Sequence, residues 1–138
     1  MPKGCTVLRK GNIDEALKND PIAGKRLLEP LKSFSQRTGF PVKVLEDSQV
    51  AESDAEVHFK EDDLWLCLEG NVKFVYGGEL INPYPVTDEA QLLAKGISNG
   101  KEVVLSPGDW LWIPAGQPHI HTCDKTARMV IIKIPSDG

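Results

Sequence analysis

Apolar and polar residues alternate with two different periods along the chain, and the period changes near residue 40. Before that point, Ile13, Ala16 and Leu17 have the three- to four-residue spacing of one helix face. A second apolar group, in residues 22–31, continues this spacing but is interrupted by glycine and proline. The pattern predicts a helical arm over residues 1–39 that packs on the outside of a sheet.

From residue 40 onward, apolar and polar residues alternate in short segments that end at glycine, proline or asparagine. This alternation is typical of strands, whose successive side chains point to opposite faces. About eight such segments without intervening helices favour an antiparallel sandwich or barrel over a parallel sheet. Within a longer polar connection over residues 82–100, the pattern predicts a single helical turn at residues 88–94. We therefore predict an all-β fold, with a β-barrel domain over residues 40–138 after the helical arm.

The composition limits the class of protein. A chain of 138 residues fits one domain, no apolar run approaches the roughly 20 residues of a membrane span, and the N-terminus lacks the apolar core of a secretory signal. The net charge is −4 and the basic residues are scattered, so neither nucleic acid nor a membrane is an expected partner. The three cysteines form no CxxC pair and are expected to be reduced thiols. We expect a cytoplasmic protein.

All three histidines fall in two short segments, and each has another potential metal ligand two residues away. In the first segment, Glu56 and His58 share one face of a strand, and an intervening turn returns Asp63 to that face. One imidazole and two carboxylates thus converge at a strand–turn–strand corner. The neighbouring Glu61 and Asp62 are interpreted as solvated turn residues.

The second segment contains the other two histidines. Pro114 and Gly116 predict a tight turn that leads into a strand carrying His119, with His121 on the same face two residues later. Imidazole combined with carboxylate suits Zn, Fe, Mn, Ni or Co, so we expect one divalent ion of this group. Its substrate or ligand would be a small molecule.

The second segment resembles the second motif of the cupin superfamily, G-x5-P-x-G-x2-H. Gly108, Pro114, Gly116 and His119 match this motif at every position. The resemblance implies a cupin-type double-stranded β-helix, also called a jelly-roll barrel, and favours a homodimer. A strand edge or an outer sheet face, such as that of Leu64, Leu66 and Leu68, is expected to be covered by the arm or by a second subunit.

The first segment resembles the first cupin motif, G-x5-H-x-H-x3,4-E-x6-G, with departures. His58 and Gly70 match, Glu56 stands at the first histidine, Asp63 stands at the glutamate, and Val50 replaces the leading glycine. The resemblance implies that the metal ligands are Glu56, His58, Asp63 and His119.

These departures affect the expected chemistry. Cupin dioxygenases typically use three histidines, whereas additional carboxylate oxygen favours Lewis-acid chemistry such as isomerisation, tautomerisation or a lyase reaction on a small oxygenated substrate. A cupin dioxygenase, or a non-catalytic module that binds a sugar or small acid, is the alternative. His121 either replaces Glu56 as a ligand, acts as a general base near the metal, or does neither; Glu56 is the alternative base.

Several aromatic residues lie near these segments. Trp65 and Cys67 share the face of Asp63 and are expected to line the pocket. Trp110 and Trp112 have the opposite parity to Leu111 and Ile113; the sequence leaves open which pair faces inward, and core packing is expected for either.

Overall fold

The computed structural model describes residues 4–86 and 90–136 and confirms the all-β class with an N-terminal helical arm. The helices are α1 (Lys10–Ala16) and α2 (Leu31–Thr38). The strands are β1 (Gly24–Leu27), β2 (Val42–Val50), β3 (Ala55–His58), β4 (Glu61–Glu69), β5 (Val72–Tyr76), β6 (Glu79–Leu80), β7 (Tyr84–Pro85), β8 (Gln91–Ala94), β9 (Ile97–Ser98), β10 (Lys101–Leu105), β11 (Trp110–Ile113) and β12 (His119–Pro135). Within these described ranges, no helix is long and apolar enough to cross a membrane.

The strands form two antiparallel sheets that share the long strand β12. The first sheet has the order β1-β2-β12-β4-β11, and the second has the order β7-β8-β3-β12-β5-β10. The strand can belong to both because its pairing with β2 shifts register between Cys123 and Thr126; such irregularities bend a strand. A separate short pair joins β6 and β9.

The main hydrophobic core lies between the two sheets. Trp65, Met129 and Ile131 contribute to it from the first sheet, and Val72 and Phe74 from the second. Removing these side chains from water drives the sheets together. The faces that meet here are called the inner faces below, and the chemistry-bearing residues lie on them.

The arm packs on the outer face of the first sheet. Ala16, Leu28, Leu31 and Val44 form a second buried cluster, and the partly buried Leu68 of β4 packs against it. The arm therefore covers Leu68, one of the three leucines on the outer face of β4. It also contains β1, which pairs with β2, so the division at residues 39 and 40 remains a prediction.

Two expectations about local structure were wrong. The helical turn expected over residues 88–94 is not formed in its described part, because Gln91–Ala94 is strand β8 and gives β3 its second neighbour; residues 88 and 89 lie outside the described residues. Trp110 and Trp112 do not pack in the core: they are 57% and 59% exposed, while Ile113 is buried. In the described chain β11 pairs only with β4, and nothing covers its outer face.

Candidate metal centre

The turn between β11 and β12 brings the two motif segments together. The backbone N–H of Gly116 donates to the carbonyl of His58, with an N···O distance of 2.7 Å. Gly116 has φ +88°, a backbone conformation that residues with a Cβ rarely adopt. Three residues later, His119 pairs with Glu56 across the antiparallel strands. The P-x-G-x2-H spacing thus sets His119 beside the end of β3.

Four side chains converge between the sheets, and each comes from a residue of the sequence-derived ligand set. The Nε2 atom of His119 lies 3.3 Å from Glu56 Oε1 and 3.2 Å from Asp63 Oδ2. The Nε2 atom of His58 lies 3.4 Å and 3.7 Å from the same two oxygens. All four atoms lie within 4.8 Å of one another. Metal–ligand bonds of about 2.0–2.1 Å give neighbouring ligand atoms a separation of about 3.0–3.4 Å, so the cluster could hold one metal ion.

Neighbouring groups fix the orientation of three of these side chains. The Nδ1–H of His119 donates to the carbonyl of Gln117 at 3.1 Å, so Nε2 is the ring nitrogen that faces the cluster. Gln91 Nε2 donates to the outer oxygen of Glu56 at 2.9 Å. Lys133 Nζ donates to the outer oxygen of Asp63 at 2.6 Å. Such outer hydrogen bonds are typical of metal sites, because they hold the coordinating atoms in position.

Two of the inward-facing atoms have no hydrogen-bond partner in the described structure. They are His119 Nε2 and Asp63 Oδ2, and both residues are only 1% exposed. The 3.2 Å between them lacks hydrogen-bond geometry. A buried polar atom without a partner costs free energy, so native proteins rarely retain one without a compensating ligand or function. A cation coordinated by both atoms would remove this cost.

The electrostatic coupling within the cluster is strong. Burial alone would raise the pKa of Glu56 and of Asp63, but the charges of His119 and His58 beside Glu56, and of His119 and Lys133 beside Asp63, hold the pKa of both carboxyl groups below the usual range. Burial alone would lower the pKa of His119, yet the Asp63 and Glu56 carboxylates raise it to about 9. A metal ion must therefore displace a proton from this imidazole when it binds.

The third histidine lies outside the cluster. His121 Nδ1 is 2.5 Å from Oδ2 of the fully buried Asp47, and its ring lies 5.0 Å from Trp65 and 5.2 Å from Phe74, measured between centroids. An ionised Asp47 accepts the Nδ1 proton and leaves Nε2 as the basic nitrogen. Burial lowers the pKa of His121, and the Asp47 hydrogen bond offsets only part of this effect.

One cavity of about 760 Å³ connects His121 with the cluster. Glu56, His119 and His121 line it, together with Trp65 as expected; Cys67 instead lies in the core. The volume is in the range of small-molecule sites. Its apolar wall consists of Leu27, Phe40, Pro41, Leu45, Trp65, Leu93, Ile120 and Ile131.

Sequence reasoning missed several groups around the site. Asp47 and Gln91 have no motif or spacing signal, since their roles follow from strand pairing across the fold. Asp62, interpreted as a solvated turn residue, instead accepts hydrogen bonds from the backbone N–H of Ala115 at 2.8 Å and from Trp112 Nε1 at 3.3 Å. It therefore supports the turn that delivers His119, a role that the P-x-G motif alone does not reveal.

The chain is also similar to solved structures, among them an epoxidase and a cupin domain. No protein-family model and no curated protein matches it. Hydroxypropylphosphonic acid epoxidase from S. wedmorenis is 15% identical, with a TM-score of 0.49, over 67% of this chain and 42% of that one. The cupin domain of Drosophila melanogaster CENP-C is 13% identical, with a TM-score of 0.49, over 67% and 59%. This chain thus spans about half of the structures it matches.

Proposed function

We propose that Glu56, His58, Asp63 and His119 bind one divalent metal ion. The chain has a cupin-like fold and matches the second cupin motif, which supports this proposal. The observation that carries this proposal is the pair of buried, unpartnered atoms, His119 Nε2 and Asp63 Oδ2, aimed at the centre of the cluster. Nitrogen and carboxylate ligands suit Zn, Fe, Mn, Ni or Co. The ion would polarise a carbonyl or enolate oxygen as a Lewis acid.

The reaction supported best is proton transfer next to a carbonyl, in an isomerase, tautomerase or lyase that acts on a small oxygenated molecule. His121 would accept the proton at Nε2, because Asp47 holds the ring through Nδ1. The apolar cavity wall around the ring would limit water near the reacting atoms. Glu56 remains the alternative base, although Gln91 and the two imidazoles already contact its oxygens.

Metal analysis tests the ligand set. Wild-type protein should carry about one divalent ion per chain, and His119→Ala should lose most of it. Chelation should also destabilise the wild type, since a ligand at 100 times its dissociation constant contributes about 2.7 kcal/mol, but should leave His119→Ala unchanged. Equal metal content in the two proteins would reject the site.

The His121→Ala variant tests the base. It should retain the metal but lose the exchange of α-protons of small carbonyl compounds in D₂O, followed by NMR. A metal-free His121→Ala protein would reject the base role and make His121 a ligand. Undiminished exchange in a metal-loaded His121→Ala protein would transfer the base role to another group, with Glu56→Gln as the next variant.

Oxygen activation is the second candidate, because two imidazoles and a carboxylate form the donor set of non-haem iron oxygenases. His58, His119 and Asp63 supply such a set here. Iron(II)-loaded protein should then consume oxygen in the presence of a substrate, measured with an oxygen electrode. Proton exchange without oxygen consumption favours the first candidate.

We also propose a homodimer in the cytoplasm. Trp110 and Trp112 are exposed and pair with Leu66 and Leu64 on the part of the outer face of the first sheet that the arm does not cover. A second copy would bury this patch. Trp110→Lys should then shift the protein to monomer in sedimentation velocity, whereas Val104→Lys, at a similarly exposed position, should not. All three cysteines are free, which fits a reducing compartment.

A further inference from the structure

Lys25 lies in the wall of the cavity without a carboxylate partner. Its Nζ donates to the carbonyl of His121 at 2.9 Å and lies 3.3 Å and 3.4 Å from the two ring nitrogens. No carboxylate oxygen of residues 4–86 and 90–136 lies within 4.0 Å of it. Burial lowers the pKa of Lys25, and the more distant charges of Asp47 and Glu56 compensate only in part. Lys25 is exposed at the cavity wall, so its ammonium group is accessible to a ligand in the cavity.

A second lysine lines the same cavity. Lys43 is exposed, and its side chain has no hydrogen bond or ion pair in the described part of the chain. Lys25 and Lys43 lie on the neighbouring strands β1 and β2, on the face that also carries Leu27 and Leu45. An anion that contacts an ammonium group in such a wall stabilises it, because the pairing compensates for the solvation free energy that both charges lose. Lys133, by contrast, is already bound to Asp63.

The charges around the cavity point in the same direction. Three lysines (Lys25, Lys43 and Lys133) and two carboxylates (Asp54 and Glu56) line it, and Asp47 and Asp63 lie behind them. These seven groups sum to one negative charge. A divalent ion in the cluster changes that sum to one positive charge, and the apolar part of the wall accommodates a hydrocarbon body. A small organic monoanion is the complementary ligand.

We propose that the cavity binds a small organic anion and that Lys25 and Lys43 contact its anionic group. This inference rests on the proposed function, since it names the substrate class of the same site. The shared chemistry is an anionic oxygen group, either carboxylate or phosphate. Lys25 contributes more than Lys43 because its ammonium group lies beside His121.

Titration with small probes tests the proposal. Pyruvate, its uncharged methyl ester and inorganic phosphate are titrated into metal-loaded and into chelated protein, with ligand-observed NMR or calorimetry as the readout. Pyruvate should bind more tightly than the ester, and Lys25→Met should weaken pyruvate binding about ten- to hundredfold, as expected for a charge-assisted contact. Lys25→Arg should restore most of the affinity. Tighter binding of phosphate than of pyruvate would assign the anionic group to phosphate chemistry.

The control is Lys101→Met, because Lys101 is exposed on β10 and does not line the cavity. This variant should bind pyruvate as the wild type does. Equal affinity for pyruvate and its ester, or no difference between Lys25→Met and Lys101→Met, overturns the inference even where metal is bound. If the wild type binds no metal, the proposed function fails; charge-dependent binding that still requires Lys25 then preserves the inference, and its absence overturns it.

Discussion

Two groups of buried charges lie on either side of the first sheet, and they differ in how fully their hydrogen bonds are satisfied. On the outer face, one oxygen of Glu46 accepts from Arg128 at 3.0 Å and 2.8 Å. The other accepts from Arg26 at 2.8 Å and from the backbone N–H of Ile22 at 3.1 Å. Each carboxylate oxygen of this outer cluster therefore has two donors.

The outer cluster also ties the helical arm to the sheet. Arg128 donates to the carbonyl of Leu17, at 2.6 Å, and to that of Asn19. These carbonyls follow the end of α1, where a helix leaves carbonyl groups without internal partners. The outer cluster thus hydrogen-bonds the segment that follows α1 and fixes the position of the arm.

The candidate metal cluster on the inner side, formed by Glu56, His58, Asp63 and His119, has the opposite character. His119 Nε2 and Asp63 Oδ2 have no partner, while the outward-facing atoms of the same residues are hydrogen-bonded. Consecutive residues of β2 serve the two sides, since Glu46 points outward and Asp47 inward to His121. The comparison teaches that burial of charge alone does not identify a functional site. Unsatisfied buried atoms that converge on one point are the additional feature of the candidate metal centre.

The largest expected effect comes from breaking the outer cluster. Glu46→Gln leaves Arg26 without its counter-charge and leaves Arg128 with only the 3.9 Å contact to Glu69. Removal of one partner of a buried ion pair costs about 3–5 kcal/mol. Urea unfolding at pH 7 should show this loss, whereas the metal content of the folded protein should stay that of the wild type. Glu52→Gln, at an exposed position without hydrogen bonds in the described chain, is the matched control.

If Glu46→Gln unfolds as the wild type does, the outer cluster does not stabilise the fold. If the folded variant instead loses its metal, the outer cluster and the candidate metal cluster are coupled through β2 and are not independent.

The same contrast explains what the sequence could and could not predict. Strand parity places Glu56 with His58, and the motifs add Asp63 and His119, because these relations are local or have fixed spacing. The first motif also predicts a glycine at position 70. Gly70 has φ +71°, and a Cβ added there would lie 2.1 Å from the carbonyl oxygen of Thr126.

Pairs between distant strands had no such signal. The outer ion pair joins β2 to β12 across 82 positions, and Gln91 meets Glu56 across 35. Such pairs depend on the register of strands far apart in the chain, which periodicity does not specify. The expected core packing of Trp110 and Trp112 was wrong for a related reason. Alternation predicts the two faces of a strand but not which of them another element covers.

A smaller effect is expected from loosening one outer partner of the metal cluster. Gln91→Leu removes the hydrogen bond that orients Glu56 while keeping a side chain of similar size. Loss of such a partner typically lowers metal affinity by about 10–100-fold, which competition with a chromophoric chelator would measure. Stability of the metal-free protein should change little. Gln36→Leu, at an exposed position of α2, should keep wild-type affinity; equal affinities in the two variants would mean that Gln91 does not orient the ligand.

The smallest effect is a pH dependence that belongs to the outer cluster. Burial alone would raise the pKa of Glu46, but the hydrogen bonds of Arg26 and Arg128 outweigh burial and lower it. A carboxyl group with a lowered folded-state pKa stabilises the protein fully above its unfolded-state pKa, and this stabilisation is lost as pH falls through the folded-state value. The stability difference between the wild type and Glu46→Gln should therefore be constant near neutral pH. It should narrow below the usual carboxyl range by at most about 1.4 kcal/mol per pH unit, because protonated Glu46 resembles glutamine. Urea unfolding of the two chelated proteins in parallel from pH 7 to pH 3 measures the difference, since charges common to both cancel. A gap that stays constant or widens in acid would show that the arginines do not depend on an ionised Glu46.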